Sequence, residues 1–137
     1  MRSNYTQLYV HCIWATWDRL PLIIQEIEQQ VYAAIISECQ KLKCTVIAVG
    51  GIENHVHLLT GFAPTLNISY LIKQVKGSSS HFITHEIQPD KFFKWQGSYG
   101  AFTVSHGEIN KVANYIRNQK QHHAQKNIIS QWELNNK

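Results

Sequence analysis

The sequence predicts an α+β fold: a β-α-β-β-α-β succession whose antiparallel sheet carries two helices on one face, with an added C-terminal helix that holds a tyrosine. Three observations predict it. Four short runs, at 5–15, 45–50, 55–62 and 98–105, are rich in β-branched, aromatic and small apolar residues and read as strands. Between the first and second runs, and again between the third and fourth, apolar residues recur at helical spacing. A third amphipathic stretch follows the last run.

In residues 5–15, Leu8, Val10, Cys12 and Trp14 alternate with Tyr9, His11 and Ile13, so one strand face is apolar and the other mixed. Asp18 to Pro21 give a helix-start signal, because proline is tolerated in the first turn, where its missing N–H costs nothing. Ile24, Ile27, Val31, Ala34, Ile35 and Leu42 continue at helical spacing and predict a helix to about residue 42. Thr45–Gly50 and His55–Phe62, joined by the turn residues Gly51–Asn54, form a hairpin. Ala63-Pro64-Thr65 ends it. A second helix spans about 66–85 and turns Leu66, Tyr70, Leu71, Val75, Phe82 and Ile83 to the core. Residues 86–97 are a loop around Pro89, and 98–105 is the last strand. Ser105-His106-Gly107-Glu108 has the form of a capping box, in which each side chain satisfies an unpaired N–H at the helix start. That helix carries Ile109, Val112, Ala113 and Ile116, runs over about 106–126, and leaves a tail at 127–137. The succession is the ferredoxin-like plan. Many functions share that scaffold, so function has to be read from the site.

At 137 residues the chain is expected to be one domain, 1–137, large enough to bury roughly two-thirds of its unfolded surface without staples. No run approaches the ~20 apolar residues of a membrane-spanning helix, and Met1-Arg2-Ser3-Asn4-Tyr5 lacks the apolar centre of a secretion signal. The expected location is the cytoplasm. Cys12, Cys39 and Cys44 are odd in number and lack CxxC spacing, so they read as small apolar residues rather than a disulfide framework or zinc knuckle. The net charge of +4 tilts the chain toward polyanions without identifying one.

The chemistry centres on Glu53-Asn54-His55-Val56-His57. Two histidines at i and i+2 of a strand share a face, about 7 Å apart along it, and their imidazoles can converge on one cation. Two ligands do not complete a site. Tyr115 and Gln119, four apart, share a helix face beside the apolar stripe of Ile109, Val112 and Ile116, with Glu108 and His122 in line. The Gln119 carbonyl is a hard oxygen, and a His, His, amide-oxygen set with open water positions suits Mg²⁺ or Mn²⁺ better than structural zinc. Such a site fits phosphoryl transfer by Tyr115. A phenol with a pKa near 10 is a weak nucleophile until a cation polarises the phosphodiester and stabilises the leaving oxygen.

His55-Val56-His57 matches the HUH motif (U being hydrophobic), and Tyr115-x-x-x-Gln119 matches the tyrosine helix of single-tyrosine HUH transposases. The chain resembles the TnpA type of transposase, from small insertion sequences that move as single-stranded DNA, or a repeat-associated domesticated relative. The likeness extends to the strand with Trp14, to Trp95-Gln96-Gly97-Ser98-Tyr99-Gly100-Ala101-Phe102, and to His122-His123. It implies that Tyr115 attacks a single-stranded DNA phosphate, leaving a 5′-phosphotyrosine and a free 3′-hydroxyl. It further implies that His55, His57 and Gln119 hold Mg²⁺ or Mn²⁺. A homodimer recognising hairpins at element ends is also implied, its tyrosine helix serving its own or the other subunit's HUH strand, with nucleoid association on DNA.

Lesser candidates have bland alternatives. Arg19, Lys73, Lys76, Ser78, Arg117 and Lys120 are candidate DNA contacts, although lysine and arginine are mostly just solvated. Phe92, Phe93, Trp95 and Tyr99 either stack bases or pack the core. His122 and His123 read as a solvated helix end stabilised by the helix dipole, with His122 alternatively a spare ligand or DNA contact. His11, His81, His85 and His106 read as structural or surface residues. A non-catalytic single-strand binder on the same scaffold stays open at this point.

Overall fold

The computed structural model describes residues 4–134, so the extreme ends of the expected N-terminus and tail (1–3 and 135–137) lie outside the described residues. The elements are β1 (Tyr9–Ala15), α1 (Glu28–Lys41), β2 (Thr45–Ile52), β3 (His55–Gly61), α2 (Ile68–Phe82), β4 (Gly100–Val104), α3 (Ile109–Arg117) and α4 (Gln119–Ala124). The sheet order is β2-β3-β1-β4 and every pair is antiparallel. This is the expected ferredoxin-like arrangement.

Strand alternation divides the protein into two layers. Val10, Cys12 and Trp14 of β1, with Val56 and Leu58 of β3, join Val31, Ile35 and Cys39 of α1 and Leu71, Ile72 and Val75 of α2 in the main core. The opposite face is covered by α3, where Val112, Ala113 and Ile116 pack on Ala48 and Leu59. The added helix therefore lies across the sheet from α1 and α2. His11, His55 and His57 alternate with the main-core residues of their strands, so they point to the side that α3 covers.

Several boundaries differ from expectation for identifiable reasons. The helix expected from Pro21 starts at Glu28, because the Ile23 amide is spent on the Glu53 carbonyl, 3.0 Å away across the hairpin turn. Asp18 and Arg19 form a tight turn with φ of 53° and 51°. At its far end α1 closes with Lys43 at φ 61°, and the Cys44 and Lys43 amides bond the Cys39 and Gln40 carbonyls, a Schellman ending. Helix α2 begins at the Asn67 cap, whose Oδ1 accepts from the Tyr70 amide at 3.2 Å. It turns Leu71, Ile72, Val75 and Ser79 inward, so Tyr70 and Phe82, expected in the core, are exposed instead. Ser79 takes a core position because its hydroxyl donates to Val75 O at 2.7 Å and accepts from Trp95 Nε1 at 2.9 Å.

The expected capping box is absent. Ser105 makes no side-chain cap; the Glu108 amide bonds the Ser105 backbone carbonyl at 3.0 Å, a short 3₁₀ turn spans His106–Glu108, and α3 starts at Ile109. The expected continuous tyrosine helix is interrupted at Asn118 (φ −108°, ψ 28°). There the Asn118 side chain donates to the Asn114 carbonyl at 2.8 Å, the local competition with helix bonding for which asparagine is disfavoured mid-helix. Phe93 and Trp95 are buried, with Trp95 edge-on to Trp14, whereas Phe92 and Tyr99 are exposed. All three cysteines are buried free thiols. No helix among the described residues is long and apolar enough to cross a membrane.

Candidate active site

His55 opens β3 and His57 follows on the same face, their ring centroids 5.1 Å apart. Both are buried, and so are Tyr115 and Gln119 from the far side of the layer. The approach of α3 to the sheet is close enough that a β-carbon on Gly50 would fall 2.5 Å from the Ile116 carbonyl oxygen. That seat sets the Tyr115 ring edge-on to His57, at 5.8 Å between centroids. Gln119 Oε1 lies 3.0 Å from His55 Nε2, and the Gln119 side-chain nitrogen donates to the Tyr115 carbonyl at 3.4 Å. The four expected site residues thus meet within one chain.

Three further side chains complete the cluster. His11 Nε2 lies 2.9 Å from His57 Nδ1 in a fully buried pair, so one imidazole orients the other. His123 Nε2 is 3.1 Å from Gln119 Oε1. It is His123, not His122, that turns toward the histidine pair; His122 lies over the Tyr115 ring at 4.7 Å. The tail then folds back. Glu133 Oε1 sits 3.2 Å from His55 Nε2 and 3.3 Å from His57 Nε2, Glu133 Oε2 accepts from the Tyr115 hydroxyl, and the Ile129 amide donates to that hydroxyl at 3.0 Å.

Burial governs the electrostatics. It lowers the pKa of His57, and the neighbouring His55 and His123 push the same way against Glu133. Burial and His57 lower His11 to about 3, so His11 is a neutral imidazole. Burial first, then the hydrogen bond to Glu133, pushes the Tyr115 phenol up to about 12. For Glu133, burial favours the protonated form, but hydrogen bonds from His55 and His57 outweigh it and hold the carboxyl well below the usual range.

The donor set fits a hard divalent cation. Asn54 Oδ1, an acceptor, lies 2.9 Å from His55 Nδ1, so Nδ1 is the nitrogen that would keep its hydrogen if Nε2 gave its lone pair to a cation. Nε2 faces Gln119 Oε1 at 3.0 Å and Glu133 Oε1 at 3.2 Å. A cation bound there would take the place of the hydrogen that His55 Nε2 otherwise shares with these two oxygens. These separations are also near the edge of an octahedron with bonds of about 2.1 Å, which is roughly 3.0 Å. His55, His57 and Glu133 place their ligand atoms within 4.8 Å of one another.

The other candidates are dispersed. Arg19 Nη2 donates to the Leu134 carbonyl at 2.7 Å, which ties it to the tail. Lys73, Lys76 and Ser78 ride on α2, across the sheet from the site; Lys76 Nζ donates to the Gln96 and Ser98 carbonyls. Arg117 donates to Ile47 O at 3.0 Å, and Lys120 pairs with Glu28. Arg117 and Lys120 line a cleft of about 520 Å³ between α1, β2 and α4.

Two solved structures of transposases share this fold. One, a chain of Deinococcus radiodurans R1 described as a transposase, superposes with a TM-score of 0.71 at 26% identity, covering 87% of this chain and 95% of that one. Another, a REP-associated tyrosine transposase bound to a REP hairpin, shares the fold at a TM-score of 0.66 and 14% identity, covering 90% of this chain and 73% of the other. Residues 4–119 match the family described as "Transposase IS200 like", and the chain belongs to that family. Among curated relatives, the ISDra2 transposase TnpA of Deinococcus radiodurans is 26% identical over 123 residues, 86% of this chain and 88% of the relative.

Proposed function

We propose that this transposase cleaves and rejoins single-stranded DNA with Tyr115 as nucleophile and Mg²⁺ or Mn²⁺ held by His55, His57 and Gln119. One observation carries the reading: a phenol, two imidazoles and an amide oxygen from two distant segments converge in one buried cluster. The Tyr115 oxygen bonds to phosphorus as it gives up its proton, the bond from phosphorus to the 3′-oxygen breaks, and that oxygen leaves as a 3′-hydroxyl. A cation held by this donor set supplies the positive charge that polarises the phosphodiester and stabilises the departing oxygen. The resulting 5′-phosphotyrosine conserves the ester, so a second 3′-hydroxyl rejoins the strand without ATP.

Asn54 and His11 orient the two imidazoles from behind. In the present state the nucleophile is masked, because the Tyr115 hydroxyl is engaged by Glu133 and the Ile129 amide. Residues 129–134 have to give way before a phosphodiester reaches it. Hairpin DNA at element ends is the proposed partner, supported by the hairpin bound to a transposase of the same fold. A homodimer is supported by β4, an edge strand whose Ala101, Phe102 and Thr103 are exposed. The proposed setting is the cytoplasm, on the nucleoid when DNA is bound.

The test is covalent capture. Wild-type protein with Mn²⁺ and a single-stranded oligonucleotide bearing a hairpin from the DNA flanking its gene should yield a denaturation-resistant adduct. Tyr115→Phe should bind the oligonucleotide yet yield none. An adduct with Tyr115→Phe rules the assignment out.

A further inference from the structure

The histidine pair and Gln119 offer three neutral donor atoms, whereas Mg²⁺ and Mn²⁺ favour anionic oxygen. The tail supplies that missing charge. Glu133 belongs to a segment with no helical or strand periodicity, yet it is fixed from both sides. Trp132 packs edge-on against Tyr115 at 5.2 Å and His11 at 5.8 Å, and the Leu134 carbonyl accepts from Arg19 at 2.7 Å. Between these anchors the Glu133 side chain is only 8% exposed.

We propose that Glu133 is a fourth protein ligand of the divalent cation in the DNA-free protein, binding through Oε1; this rests on the metal reading given above. Its two oxygens have separate partners. Oε2 is turned to the Tyr115 hydroxyl, which fixes the plane of the carboxylate, and Oε1 is left facing His55, His57 and, at 3.5 Å, His123. Asn54 takes up the Nδ1 side of the His55 ring at 2.9 Å, so Nε2, the nitrogen that meets Oε1, is the one left for a cation. A ligand oxygen and a ligand nitrogen therefore point at the same place. Among the described residues, no other carboxylate forms a group of this kind with the two histidines.

Metal affinity, measured without DNA, decides the matter. Mn²⁺ is titrated into full-length protein while the electron paramagnetic resonance signal of the free ion is followed, for wild type, Glu133→Gln and His57→Ala. Glu133→Gln should weaken binding about tenfold or more, and His57→Ala should weaken it at least as much. If Glu133→Gln binds as tightly as wild type, or more tightly, while His57→Ala loses the ion, Glu133 is no ligand and the histidine site stands. If His57→Ala also binds like wild type, the metal reading fails and the inference falls with it. A second measurement needs no variant. In the wild-type chain, substoichiometric Mn²⁺ should broaden the amide resonances of 132–134 together with those of His55 and His57. Sharp tail resonances beside broadened histidine ones overturn the proposal.

Discussion

Gly50→Ala tests whether the seat of α3 on the sheet is what delivers Tyr115 to the histidines. Gly50 sits opposite His57 in the β2–β3 ladder. A β-carbon there meets the Ile116 carbonyl oxygen at 2.5 Å and its carbon at 3.3 Å. Both are backbone atoms, so no rotamer change relieves the clash. Ordinary contact starts at 3.4 Å, so the helix has to retreat by roughly 0.9 Å, the difference from 2.5 Å. Overpacking of this kind costs about 1–3 kcal/mol, which for a domain this size lowers Tm by about 3–12 °C. Tyr115 directly precedes Ile116 and moves with it. A displacement near 1 Å can slow a positioned reaction by about 10²-fold. Thermal unfolding and single-turnover adduct formation read the two effects, with Gly77→Ala, where nothing lies within 4 Å of the new carbon, as control. If Gly50→Ala matches wild type in both Tm and adduct rate, α3 does not depend on this contact and the positioning argument is refuted.

Acid should destabilise the metal-free protein well before its carboxylates titrate. Folded His11 takes up its proton only near pH 3, whereas an unfolded histidine does so near 6.5. Below 6.5 the unfolded state binds more protons, and stability falls as pH falls. From pH 7.5 to 5.0 His11 alone accounts for about 2 kcal/mol, and the lowered His57 and His123 act in the same direction. Urea unfolding at the two pH values with chelator present measures the loss; equal stability contradicts the buried neutral pair. Asn54→Ala removes the acceptor that fixes the His55 tautomer and should weaken Mn²⁺ binding about 10- to 100-fold with little change in Tm. Unchanged affinity in a calorimetric titration contradicts that role.

Much of this was legible in the sequence because it follows from periodicity. The i, i+2 histidines had to share a strand face, and Tyr115 and Gln119, four apart, stayed on one side even though the helix breaks between them at Asn118. His11 was half legible. Alternation placed it on the mixed face of β1, but only the pairing of β1 with β3 puts it behind His57. Glu133 was not legible, since a lone carboxylate in an aperiodic tail gives no signal until the chain is folded back. The same limit applies to Ser79, whose core position depends on the distant Trp95. The capping box failed because its two residues fit a pattern that the 3₁₀ turn at 106–108 pre-empts.

On the proposed mechanism the hydroxyl of Tyr115 is the atom that takes the DNA phosphate. Tryptic digestion after reaction with single-stranded hairpin DNA and Mn²⁺, followed by mass spectrometry, tests it at the residue itself. The peptide spanning 112–117, which contains Tyr115, should carry a 5′-phosphonucleotide mass, and none when chelator replaces the ion. A nucleotide on any other peptide, or cleaved DNA with no protein attached, contradicts it.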